Sequence, residues 1–92
     1  MSPNAARHLR EVIWNTERII GIEVVAAAQA LDLRLRAEGL TSEALGRGTR
    51  AAYARVRGAI PFMEQDRILQ PDIERAAALV HSGGIVASIN TA

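Results

Sequence analysis

Thirteen consecutive residues, Ile19 to Leu31 (IIGIEVVAAAQAL), contain only Glu23 and Gln29 as polar side chains. They lie within a stretch from Pro3 to about Arg36 whose residues favour helix. Leu9, Val12, Ile13, Ile19, Ile20, Val24, Ala27, Leu31 and Leu35 recur at three- and four-residue steps, the spacing of one helix face. Ile22, Val25, Ala26 and Leu33 fall around the other side. A helix apolar nearly all round in its middle has to be surrounded there by protein. The run is too short, and too polar at both ends, to cross a bilayer, which needs about 20 residues. At about 1.5 Å per residue the helix would be roughly 50 Å long, and no other part of the chain is long enough to wrap it. Left in water, this surface would exceed the few hundred Å² that soluble monomers normally tolerate. The sequence therefore predicts self-association or a missing partner chain.

The ends of this helix are marked. The Ser2 hydroxyl is placed to cap an orphan amide, and Pro3 costs nothing at a first helical position. Gly39 is the stop. Gly21 is the weak link in propensity, at about 1 kcal/mol relative to alanine. Its expected use is close approach of a neighbouring helix, on a small-residue surface extended by Ala26, Ala27, Ala28 and Ala30.

The rest of the chain reads as shorter helices. Thr41-Ser42-Glu43 can cap a short turn closed by Gly46 and Gly48. A helix is expected over about 49–58, capped by Thr49, burying Tyr53, Val56 and Ile60 and stopped by Pro61. Residues Phe62 to Gln70 form a connector. Pro71, with Asp72 and Glu74 near a positive helix end, opens a helix over about 71–82. Its expected inner face is Ile73, Ala76, Ala77 and Val80, with Gly83-Gly84 as the stop. The tail, residues 85–92 (IVASINTA), has no partner strand and is expected to fray or to pack on a neighbouring subunit. The fold class is all-α, one segment over residues 1–92, in a helical bundle completed by other chains.

Composition removes several functions. All eleven basic residues are arginine, set against ten acids. A net charge of +1 with no basic cluster interleaved with aromatics points away from nucleic acid and from a membrane surface. Arginine's planar fork suits structural ion pairs instead. The absence of cysteine excludes disulfides and thiolate metal sites. The N-terminus carries no basic start followed by an apolar run, so cytoplasm is the expected compartment.

Candidate chemistry is sparse. Glu23, amid Ile22, Val24 and Val25, would have a raised pKa if left unpaired. The favoured reading is an ion pair with Arg18, Arg34, Arg36 or an arginine of another chain. Gln29 is expected to hydrogen-bond within the core rather than to bind a substrate. His8 and His81 are far apart, without metal-ligand spacing; His8 reads as a partly exposed helix residue and His81 as a cation at a helix C-terminus. Tyr53 shares an apolar face with Val56 and Ile60 and reads as core. The glycines around Gly46 and Gly48 follow no strand, so no phosphate loop is supported. Ser2, Ser42, Ser82 and Ser88 have no evident base. No catalytic, cofactor-binding or metal residue is assigned.

Four segments nevertheless carry a resemblance. Glu23 to Arg34 (EVVAAAQALDLR) resembles the long C-terminal core helix of the histidine and phenylalanine ammonia-lyases, and Met1 to Arg10 (MSPNAARHLR) resembles its approach. Gly48-Thr49-Arg50-Ala51-Ala52-Tyr53, with Val56-Arg57 and Pro61, is similar to the family's next helix. Glu64-Gln65-Asp66-Arg67, with Pro71-Asp72-Ile73-Glu74, is similar to the entry of its last helix. The resemblance implies elimination of ammonia from an amino acid by a methylidene-imidazolone electrophile made from an internal Ala-Ser-Gly. That string is absent; Ala87-Ser88-Ile89 is the nearest. The resemblance places the family's catalytic tyrosines, substrate-carboxylate arginine and active-site glutamate upstream of Met1. It further implies a long helix in the central bundle of a homo-oligomer, its positive N-terminal end toward an active site. The expectation is a C-terminal lyase segment, inactive alone and completed by an N-terminal lyase portion. The alternative is a non-catalytic, self-associating helical module of the same ancestry.

Overall fold

The computed structural model describes residues 2–92. Helix α1 spans Pro3–Ala37, and a 3-10 turn at Ser42–Ala44 leads into α2, Arg47–Ala59. Helix α3 spans Gln70–Ser82 and α4 Gly84–Asn90. The described residues are all-α.

Sequence-local chemistry fixes the ends of α1. The Ser2 hydroxyl accepts a hydrogen bond from the Ala5 amide at 3.1 Å, with Pro3 at the first helical position. At the other end Gly39 takes φ +66°. The Leu40 amide donates to the Leu35 carbonyl at 2.8 Å and the Gly39 amide to that of Arg36 at 3.2 Å. This paired closure satisfies carbonyls the helix would otherwise leave open, and glycine adopts its left-handed residue without steric cost.

Helix α3 lies along α1 in the broadest helix–helix contact of the chain, and α4 packs mainly on α2. Gly21 sits where α1 and α3 come closest. A Cβ there would lie 3.1 Å from the Ala77 nitrogen and 3.2 Å from the Ile73 oxygen, both backbone atoms of α3. The neighbour that needs Gly21 is thus a helix of the same chain. Ala28, Val56, Ile60 and Ala76 form the core, with Val24, Val25, Ala59 and Ile85 packed against it.

The inner face of α1 differs from the one expected. Its buried positions are Gly21, Ala28, Asp32 and Leu35. Of the periodic set only Leu35 is buried; Val24 and Leu31 are half-buried, while Leu9, Val12, Ile13, Ile19, Ile20 and Ala27 are exposed. A helix apolar on nearly every side gives periodicity no unique phase, and the small residues that admit α3 decide the inward face.

The shorter elements also depart from expectation. Helix α2 begins at Arg47 with Gly46 as its cap, rather than at Thr49. The tail is helical rather than frayed, and packs on α2 of its own chain. Gly83, at φ +73°, ends α3 and redirects the chain into α4, whose helical bonding removes the need for a partner strand.

The molecule measures 55 × 33 × 16 Å, and α1 sets the long axis. Its radius of gyration is 15.4 Å, against about 12 Å for a compact domain of this length. The accessible surface is 6305 Å², about a fifth more than a folded monomer of this mass exposes. Trp14, Ile19, Ile22 and Leu33 are each at least half exposed. No described helix is long and apolar enough to cross a membrane.

Candidate functional site

A buried carboxylate with two partners lies between α1 and α2. Asp32, on the inner face of α1, is 8% exposed. Tyr53 and Arg57, four residues apart on α2, point from the same side of that helix and converge on it. The Tyr53 hydroxyl donates to one carboxylate oxygen at 2.6 Å. The Arg57 Nε donates to the other at 2.7 Å. Arg57 Nη2 lies 2.6 Å from that same oxygen but off the line of its own N–H bonds, so it adds charge attraction without a further hydrogen bond. Nη1 donates to the Ile60 carbonyl at 3.1 Å. A carboxylate taken out of water needs such pairing to remain charged.

Tyr53 is therefore a proton donor held by its acceptor. Its hydrogen bond to Asp32 first, then burial and the Asp32 charge, push its pKa above the ordinary 10.0, and Arg57 opposes this only in part. A raised folded-state value means that the stabilisation is complete below the unfolded value of about 10 and is lost as pH rises through the folded one. The chain has a single tyrosine, so phenolate absorbance reads this residue alone. Titration of the folded chain should give a midpoint above 10.0, returning toward that value in denaturant. Equal midpoints would show that the Asp32–Tyr53 bond does not form in solution.

A second set of polar contacts ties the connector to the helices. Gln29 bridges the Met63 backbone from both sides, donating to its carbonyl at 2.9 Å and accepting from its amide at 3.1 Å. Buried Asp72 accepts from Arg67 at 2.8 Å and more weakly from Arg75 at 3.4 Å. Arg67 in turn donates to the Pro61 carbonyl at 2.7 Å and to that of Phe62 at 3.3 Å. Arg18 stacks 3.3 Å from the Trp14 ring centroid and grips both oxygens of Glu74, at 3.0 and 2.6 Å. Arg36 covers Phe62 and reaches Glu64 at 3.3 Å. These arginines serve structural pairing.

The other candidates remain separate. Glu23 is exposed, and no ion pair to it is found among the described residues, so the expected arginine partner is not within them. His8 is exposed. His81, in the last turn of α3, has its Nδ1 2.7 Å from Glu17. Ser2 caps α1, and the hydroxyls of Ser82 and Ser88 donate to carbonyls one turn back. Asp32 and Arg57 received no role from the sequence. The available signals were an aspartate in register with Ala28 and Leu35, and a Tyr-x-x-x-Arg step on α2.

Beside this network runs an apolar groove of about 400 Å³, bounded by α1, the connector and the start of α3. A larger hollow of about 500 Å³ beside Arg7, Arg10 and Trp14 is walled by α1 alone and is a surface, not an enclosed site. No nucleophile stands beside a free base at either place. The arrangement holds helices together. These residues do not fit a methylidene-imidazolone: Ser88 sits inside α4, followed by Ile89 where a glycine would be required.

The profile of the family described as aromatic amino acid lyase matches residues 1–58. The histidine ammonia-lyase of Symbiobacterium thermophilum is 44% identical over 97% of this chain and 16% of its own length. That of Gloeobacter violaceus is 41% identical over 100% of this chain and 17% of its own. For that of Deinococcus radiodurans the figures are 38%, 94% and 15%. No solved structure matches. The chain spans about one-sixth of the length of these relatives. With more than half of its residues matched by the family profile and its whole length aligned to histidine ammonia-lyases, the chain belongs to the aromatic amino acid lyase family.

Proposed function

We propose that this chain is the C-terminal helical segment of a histidine ammonia-lyase-like enzyme, in which histidine would lose ammonia to give an unsaturated acid. Alone it is inactive, and it works assembled with an N-terminal lyase portion in a homo-oligomer. The observation that carries this reading is end-to-end identity of 44% to a relative of which it covers only 16%. The geometry supports it: buried Asp32 and Asp72 and half-buried Tyr53, Arg57 and Gln29 are committed to joining the helices and the connector, while the outer side of α1 remains apolar and exposed. When formed in a complete enzyme, the methylidene-imidazolone would supply the electrophile; this chain's residues would supply a rigid wall of the bundle.

A chimera tests this. The segment replaces its counterpart in the Symbiobacterium thermophilum enzyme, and urocanate formation from histidine is followed by absorbance. The purified 92-residue chain should give no product above a buffer control, and the chimera should retain activity. Product from the chain alone would overturn the proposed dependence. An inactive chimera, with the chain alone sedimenting as a defined oligomer, would favour the non-catalytic module.

A further inference from the structure

We infer that His81 is a nucleophilic site: Glu17 fixes its imidazole so that Nε2 takes an acyl group from a small activated aryl ester and passes it to water. This activity is separate from the lyase reading and uses only residues of α1 and α3. The pair stands one helical turn from the closest approach of those helices. Gly21, four residues after Glu17, lies against Ala77, four residues before His81. Nearby, Arg18 grips both oxygens of Glu74. Together these ties hold α1 and α3 in register, and the Glu17 carboxylate meets Nδ1 of His81 at 2.7 Å.

An ionised carboxylate only accepts, so Nδ1 carries the proton of this bond and Nε2 of the neutral ring keeps the lone pair. No hydrogen bond to Nε2 is found among the described residues. The His81 side chain is 75% exposed and that of Glu17 18%. The carboxylate is thus withdrawn from water and directed at the ring, while the free ring nitrogen is open to reagents. A carboxylate so placed fixes the tautomer and stabilises the positive charge that develops on the ring as it reacts. Glu17 is therefore a positioning residue, and His81 carries the chemistry. The two line a cleft of about 300 Å³ with Trp14, Arg18, Glu74 and Ala77. Trp14, 54% exposed, supplies an aromatic wall for an aryl leaving group. His8, exposed and without a carboxylate bonded to it among the described residues, is the internal comparison.

The step balances without a further reactant. The Nε2 lone pair adds to the ester carbonyl carbon, the carbon–oxygen bond to the leaving group breaks, and the aryloxide departs with its electron pair. The acyl-imidazolium keeps its Nδ1 proton against the negative Glu17. Water then attacks the acyl carbon and the carbon–nitrogen bond breaks. A carboxylic acid and one proton leave to solvent, and the neutral imidazole regains its lone pair.

The test follows hydrolysis of p-nitrophenyl acetate by the purified 92-residue chain, with free imidazole at equal concentration as the reference. The parent and His8→Gln should turn over the ester at the same rate, above that of imidazole, and His81→Gln should lose the excess. Acetylation of the α-amine forms a stable amide, so it gives one equivalent of nitrophenolate and no turnover. Glu17→Ala should slow turnover with His81 still present. Nitrogen NMR separates orientation from folding: neutral His81 should carry its proton on Nδ1 in the parent. In Glu17→Ala it should move to Nε2, the form free histidine prefers, at unchanged helix content. Should Glu17→Ala lose helix content, Glu17→Gln, of the same size but without charge, should slow turnover in the folded chain. Turnover by His81→Gln or by the folded Glu17 variant as fast as the parent's would overturn the inference, as would a parent His81 protonated on Nε2 or a parent no faster than imidazole.

Discussion

Replacing Asp32 by alanine should destabilise the chain by about 3–5 kcal/mol, the cost of breaking a buried ion pair from one side. The substitution leaves the Arg57 guanidinium, whose side chain is 15% exposed, facing a cavity where its counter-charge was. It also removes the acceptor of the Tyr53 hydroxyl. Asp32→Asn should cost less, because the amide oxygen still accepts one of these bonds while the charge is lost. Asp32→Ala combined with Arg57→Met should recover much of the loss, since the uncompensated charge goes too. Denaturant melts of the four proteins at one protomer concentration decide it, because association shifts apparent stability. A double variant as unstable as the sum of two independent losses would mean that Asp32 and Arg57 do not act as a pair.

That pair marks the boundary of what the sequence discloses. Ser2-Pro3 and Gly39 announce the ends of α1 because a capping hydroxyl, a first-turn proline and a left-handed glycine act locally. Val56 and Ile60 declare the inner face of α2 because the rest of that helix is largely polar or small. Helix α1 offers no such contrast. Its inward register contains a glycine and an aspartate, while Ile13, Ile19 and Ile20 of the periodic set are exposed, so the hydrophobic pattern selects the wrong side. Only a tertiary fact, the approach of α3 to Gly21, resolves it. The tail was obscured differently: Ser88, Asn90 and Thr91 weaken helix propensity, and it is packing on α2, with Ile85 reaching the core, that makes α4 stable. The Asp32 network was hidden because its members lie in separate helices and acquire meaning only when those helices meet.

Gly21→Leu should destabilise the chain by about 3 kcal/mol, the upper part of the range for forcing extra volume into a packed contact. The added carbons have nowhere to go. The first of them would already lie 3.1 Å from the Ala77 nitrogen, 3.2 Å from the Ile73 oxygen and 3.4 Å from the Ala76 Cβ. Two of these are backbone atoms of α3, which move only if the whole helix moves. Gly21→Ala is a finer probe. Alanine gains about 1 kcal/mol of helix propensity, against the cost of displacing α3 by a few tenths of an ångström, so it should stay within about 1 kcal/mol of the parent. Gly58, an exposed position of α2, supplies the control: a Cβ there meets nothing within 4 Å. Gly58→Ala should therefore stabilise by about 0.4–1 kcal/mol, as glycine-to-alanine changes do where the backbone is compatible. Melts of the three variants at one protomer concentration separate packing from propensity. If Gly21→Leu and Gly58→Ala shifted stability alike, α3 would not lie against Gly21, and the inner face assigned to α1 would have to be abandoned.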